Sequence, residues 1–232
     1  MVVAKADRSK MPEPVVTKGQ KATRKDTLAT RGRILDAAEQ LFYQRGIDNV
    51  SLADINQAAG QKNRNALQYH FGDKTALLHA VLDRHSEQIA VKREAMVAEL
   101  NAKGHFEIRD VAAVVIRPLA EKLEANKSGA AYIGINSQLA SSHFYLEHFS
   151  RRSSGGYGSV EGLIKQCLPK LPAEIIRARE ILAVTILFHS LAAALAQGAD
   201  INRAVFVEAL IDAHVAIMSQ PPSAQTLAQV TT

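Results

Sequence analysis

The chain has 232 residues, 47% of them hydrophobic, which is enough for one large domain or for a small domain joined to a larger one. Its single cysteine, Cys167, excludes an internal disulfide and a cysteine-based zinc site, and fits a reducing, cytoplasmic setting. The net charge of +5 lies entirely in residues 1–25, where seven lysines and arginines face Asp7 and Glu13; the remainder is balanced, so a cationic arm precedes a neutral body.

Trp is absent, Ala, Leu, Glu, Gln, Lys and Arg are abundant, and alternating Val/Ile/Thr runs are scarce, which predicts an all-α protein. Residues 1–25 carry Pro, Lys and Thr without apolar periodicity and are expected to be disordered. Such an arm attracts phosphates or merely aids solubility. It has no apolar core of the secretory kind. A first helix is predicted from about Asp26 or Thr30 to Arg45. Ile34, Ala38, Leu41 and Phe42 form its buried stripe, and Arg31, Arg33 and Glu39 are exposed. Gly46 stops it and Ile47 folds back onto its last turn.

The stretch from Ser51 to Lys74 reads as two short helices and a tight turn. Ser51 is a good N-cap, and Asp54 three residues later completes a capping-box pattern. Leu52, Ile55 and Ala59 share one helix side, and Gly60 ends that helix. Asn63 caps a second helix, on which Leu67 and Phe71 face inward. Lys62, Asn63, Arg64, Asn65, Gln68 and Tyr69 crowd its start and outer side. A buried inner face with a donor-rich leading end is what a major-groove reading helix requires, since Arg, Asn and Gln each bond base edges twice while Lys and Tyr reach phosphates. A polar, solvated hairpin surface would share this pattern.

Asp73 caps a long fourth helix that runs to about Asn101, with Gly104 after it and Leu78, Val81, Leu82, His85 and Ile89 inside. A helix over about Glu107–Ala125 contains Pro118, expected to kink or split it; Val111, Val114, Val115, Leu119 and Leu123 are its apolar positions. Another covers about Ala130–Ser150. Arg151–Ser159 reads as a loop, and a short helix covers Val160–Cys167. Two further helices span Ala173–Gln197 and Arg203–Ser219, and Pro221-Pro222 ends the folded part. The apolar run Ile181–Ala196 is interrupted by Thr185, His189 and Ser190 and is short for a bilayer, so it reads as a buried helix and no membrane partner is expected. Both final helices are apolar nearly all round. Ile175, Leu182, Ile186 and Ala193 share one side of the first; Phe206, Leu210 and Ile217 share one side of the second. A second apolar stripe demands a second neighbour, either the same helices of another chain in a two-fold bundle or a larger core.

Leu41-Phe42 and Gly46, then Ser51-Leu52, Ile55 and Ala59-Gly60, then Tyr69-His70-Phe71-Gly72, Lys74 and Leu77-Leu78 resemble, in order and spacing, the N-terminal domain of TetR-family (tetracycline-repressor-like) regulators. The resemblance covers residues 27–85. It implies an N-terminal three-helix helix-turn-helix DNA-binding domain followed by a helical ligand-binding and dimerisation domain. Also implied are a homodimer, a double-stranded DNA operator and a small-molecule effector. Lys74 matches the family's phosphate-contacting Lys, at a helix start that attracts phosphate in any case. His70 matches the family's His, where packing of the turn is an equal role. Two departures stand out: one extra residue lies between Gly60 and Phe71, and Gln68 stands where the family usually has Tyr, with Tyr69 beside it.

The sequence holds no G-x-S-x-G elbow, Walker loop or H-E-x-x-H, so no enzymatic role and no cofactor or metal is expected. His143, Glu147 and His148 are too few for a metal site. The resemblance implies an effector cavity, for which Tyr132, Phe144, Tyr145, Phe149, Phe188 and His189 are candidates; each would serve equally as core. The expected organisation is a basic arm (1–25), a DNA-binding domain (26–73), an effector and dimerisation domain (74–220) and a flexible tail (221–232). A helical metabolite-binding or enzymatic protein with a purely structural N-terminal hairpin is the competing class.

Overall fold

The computed structural model describes residues 18–61, 63, 66–123, 127–140, 158–198 and 201–230. Among these, helix α1 spans Lys18–Arg45, α2 Leu52–Ala58, α3 Ala66–Phe71, α4 Lys74–Lys103 and α5 Ile108–Ala120, which tightens into a 3-10 turn at Glu121–Leu123. Then follow α6 (Lys127–Leu139), α7 (Gly158–Cys167), α8 (Ala173–Gln197), α9 (Arg203–Ser219) and α10 (Ala224–Val230). The described residues contain no strand. The last two long helices have the bounds that the sequence predicts. Two ends differ. The second part of the segment expected to be disordered, from Lys18, continues α1, and the expected flexible tail is helical over Ala224–Val230.

The N-terminal three helices pack through the predicted stripe: Ile34, Ala38 and Phe42 are fully covered, with Ile55 of α2 and Leu67 of α3 against them. From α4 onward, Leu78, Val81, Leu82, His85 and Ile89 are buried as expected. Helix α5 lies against α9 and α4, α6 against α1 and α8, and α8 against α9. Pro118 does not split α5, which runs two residues beyond it. Proline supplies no N–H to the preceding turn. The buried Arg93 of α4 donates to the Val115 carbonyl at 3.0 Å in that same stretch. On the solvent side, Arg109 and Arg117 of α5 both pair with Glu208 of α9 at 2.7 Å, and Arg109 also bonds Asp212.

Helix α8 is long and apolar enough to cross a bilayer by length and composition. Its inner side is nevertheless the core: Ile175, Ala183, Leu187, Phe188 and Leu191 are buried. Its opposite side is open, with Ile181, Leu182 and Ile186 exposed, so it is not the wholly buried helix that its sequence suggests.

His214 of α9 is buried, and burial pushes its imidazole down to about 4 from an ordinary 6.5. Between those two values the unfolded chain takes up a proton that the folded chain refuses. Stability from this group is therefore lost as pH falls from about 6.5 to about 4, by about 3 kcal/mol in all. Urea midpoints compared near neutral pH and at about pH 4.5 test this: His214→Leu is expected to remove that part of the acid sensitivity.

Candidate nucleic-acid interface

Helix α2 begins with a complete capping box. The Ser51 hydroxyl oxygen accepts from the Asp54 N–H at 3.1 Å, and Asp54 Oδ2 accepts from the Ser51 N–H at 2.9 Å. The Ser51 hydroxyl and N–H hold the Asp54 carboxyl below its ordinary value. Ile55 anchors the helix inward. Gly60 then takes φ +63°, a conformation that a side chain disfavours, and the chain turns. Gln61 fastens that turn with its own amide, which donates to the Ala59 carbonyl at 3.0 Å, while its backbone N–H donates to the Asn56 carbonyl.

Helix α3 has six residues, too few to hold itself together in water. It is fixed by Ala66, Leu67 and Phe71, all buried, and by Arg31 of α1. The Arg31 guanidinium donates to the His70 carbonyl at 3.0 Å and lies 4.3 Å over the Phe71 ring. This satisfies one of the carbonyls left open at a helix end and adds a cation–π contact. Sequence reasoning placed Arg31 simply as exposed. Its spacing from Ile34 and Leu35 put it on the edge of the buried stripe, which was the available signal.

The outer side of α3 is left free. Gln68 and Tyr69 are exposed, Tyr69 at 82%, with its ring edge-on to His70 at 5.2 Å. His70 is half-buried. Asn63 is exposed, and its carbonyl accepts from the Ala66 N–H at 3.1 Å as α3 begins. Lys62, Arg64 and Asn65 lie outside the described residues. Lys74 opens α4, where Asp73 caps by accepting from the Ala76 N–H at 2.7 Å. Lys74 Nζ donates to the Asp48 carbonyl at 3.5 Å, so the start of α4 adjoins the turn that leads to Ser51. Asp54 and Asp73 are turned back into caps, Gln68 and Tyr69 remain as outward donors, and the half-buried Lys74 stands beside them at the start of α4.

The other predicted sets divide. Tyr132 and Phe188 are buried, and Tyr132 packs against His85 with ring centroids 4.8 Å apart. His189 is instead on the open side of α8, its Nδ1 bonded to the Thr185 carbonyl at 2.9 Å, which separates it from a buried lining. Phe144, Tyr145 and Phe149, and also His143, Glu147 and His148, lie outside the described residues. Of the residues expected at a subunit contact, Leu182, Ile186 and Ala193 are exposed, and Phe206 and Ile217 are half-buried. Ile175 and Leu210 need correction: at 5% and 6% exposure they are buried within the single chain rather than open to a partner. Ile181 and Val205, which were not singled out, are exposed instead.

Residues 34–81 match the family model described as bacterial regulatory proteins, tetR family. The chain is 43% identical over 61 residues to the HTH-type transcriptional regulator TtgR of Pseudomonas putida, covering 26% of this chain and 29% of TtgR. It is 42% identical over 67 residues to the HTH-type transcriptional repressor ComR of Escherichia coli, 29% of this chain and 31% of ComR. The match thus spans under a third of either relative. Among solved structures, a tetR family transcription regulator from Shewanella sp. PV-4 superposes with a TM-score of 0.60 at 18% identity, over 80% of this chain and 95% of that one. NalD of Pseudomonas aeruginosa, described as the secondary repressor of the MexAB-OprM multidrug efflux pump, superposes with a TM-score of 0.55 at 19% identity, over 82% and 95%. These last two show a shared fold. With the capped α2, the glycine turn and the braced α3 in place, residues 34–81 are an N-terminal domain of the kind found in the tetR family of bacterial regulatory proteins.

Proposed function

We propose that the protein is a cytoplasmic, dimeric DNA-binding transcriptional regulator, a repressor that holds a palindromic operator and leaves it when a small-molecule effector binds. The observation that carries this reading is the division of α3. Leu67 and Phe71 are locked inward and Arg31 braces the end, while Gln68 and Tyr69 stand free on the outer side. Ser51, Lys62, Asn63, Arg64, Asn65, Gln68, Tyr69, His70 and Lys74 are the proposed contacts, with base edges read by the residues leading into α3 and phosphates met by Lys74 and Tyr69. Residues 26–73 would form the reading unit, and the basic residues before it would add phosphate attraction that carries no sequence preference.

The open side of α8 and Val205 of α9 give the subunit contact: two such helix pairs related by a two-fold axis make a four-helix bundle and hold two copies of α3 in successive major grooves. The helices of 74–220 would receive the effector, which shifts the dimer only through unequal affinity for its two geometries. The relatives named as transcriptional regulators and repressors support the class.

The test is selection of bound duplexes from a random pool, followed by affinity measurements on the selected site. Arg64→Ala or Asn65→Ala is expected to cost about 1–3 kcal/mol and to relax preference at individual base pairs. Uniform weakening on every sequence would count against base reading, and a wild-type chain that enriches no duplex would end the proposal.

A further inference from the structure

Glu39 is the one acidic side chain of α1 that is buried, at 2% exposure among the described residues, although its sequence position reads as exposed. Three elements meet at its carboxylate. His85 Nε2 of α4 is 3.1 Å from Oε2, the Ser128 hydroxyl of α6 donates to Oε1, and Arg84 Nη1 stands at 3.7 Å while its other arm holds Asp36 at 2.8 Å. Burial alone would raise this carboxyl, but the His85 and Ser128 hydrogen bonds, with His85 and Arg84 beside it, bring it below its ordinary value. Ser128 lies in the first turn of α6, and Tyr132, one turn later, covers the His85 ring.

The same two helices are joined again further along. A Cβ at Gly134 of α6 would lie 2.3 Å from the Tyr43 ring, so the tyrosine sits where only glycine leaves room. Gln138 then caps the end of α1 with both arms of its amide: Nε2 donates to the Phe42 carbonyl and Oε1 accepts from the Ile47 N–H, each at 3.1 Å. Glu39, Tyr43 and Ile47 on one side thus meet Ser128, Gly134 and Gln138 on the other, in the same chain direction.

We propose that the Glu39–Ser128 bond is a latch that makes the last turns of α1 and the whole of α6 move as one body, so that withdrawal of the first turn of α6 loosens the reading unit. A buried carboxylate that loses a donor is costly, which gives the bond leverage out of proportion to its size. The consequence for DNA rests on the function proposed above; the mechanical claim does not.

Hydrogen exchange on the full chain separates the two. In Ser128→Ala, peptides covering residues 36–47 and 127–139 are both expected to exchange at least about tenfold faster, the size set by a lost hydrogen bond to a charged group. Ser128→Thr, which keeps the hydroxyl, should restore both. Ser128→Ala added to Glu39→Ala should exchange no faster than Glu39→Ala alone, because the carboxylate that accepts from Ser128 is already gone. Acceleration confined to 127–139, or fully additive effects, would overturn the latch. If wild type enriches no duplex while the exchange pattern holds, the DNA reading fails and the latch stands.

Discussion

Ile186→Lys is expected to split the proposed dimer and to lower affinity for a duplex with two half-sites by about 10²–10⁴-fold, the advantage that linking two weak contacts confers. Ile186 is 42% exposed and its neighbour Leu182 56%, so a single chain accepts a lysine at either place without disturbing its own core. In a two-fold bundle each change enters twice, on facing surfaces, and a desolvated ammonium costs several kcal/mol in effective terms. Affinity for a single half-site should barely change, because α3 packs on α2 and α4 whereas α8 packs chiefly on α6 and α9. Sedimentation reports the state of assembly and fluorescence anisotropy the two affinities. A variant that sediments as a dimer, or a monomer with undiminished affinity for the paired site, would show that this side of α8 does not join subunits. Leu210→Lys makes an instructive contrast. Leu210 is only 6% exposed in the single chain and belongs to its hydrophobic core, so its replacement disturbs that core and reports on folding instead.

That contrast also marks where the sequence is legible. Local rules placed the Ser51 box, the Gly60 turn, the Asp73 cap and both last helices, because each depends on a few adjacent residues. The inward stripe of α4, from Leu78 to Ile89, followed from helical period alone. Which of two apolar sides faces the chain's own core is a different kind of question. Leu182 and Leu210 look alike in sequence, and only the packing of α5 on α9 and of α6 on α8 decides that one is open and the other covered. Charged residues failed for the same reason. Glu39 and Arg31 were read as surface groups, yet their partners, Ser128 and the His70 carbonyl, lie 89 and 39 residues away. No window of local sequence contains both halves of such a pair.

Leu67→Ala is expected to abolish selective duplex binding while leaving the rest of the chain folded and its state of assembly unchanged. Removing a fully buried leucine side chain costs about 2–5 kcal/mol, and Leu67 is 1% exposed. What makes the loss local is the length of α3. Six residues do not sustain a helix alone, so its order is borrowed from Leu67, Phe71 and the Arg31 brace. With Leu67 gone, only the small Ala66 anchors the near end while Phe71 and the Arg31 brace hold the far end, and the outer face that carries Gln68 and Tyr69 loses the support that aims it. Gln68→Ala, one position on and exposed, removes a proposed contact without removing an anchor, and should weaken binding by about 1–3 kcal/mol with the far-ultraviolet circular dichroism and urea midpoint unchanged. The pair therefore distinguishes a helix that must be held from one that merely touches. If Leu67→Ala bound the selected duplex as well as Gln68→Ala does, the inward face of α3 would not be what positions its outer face, and the division of that helix would lose its functional meaning.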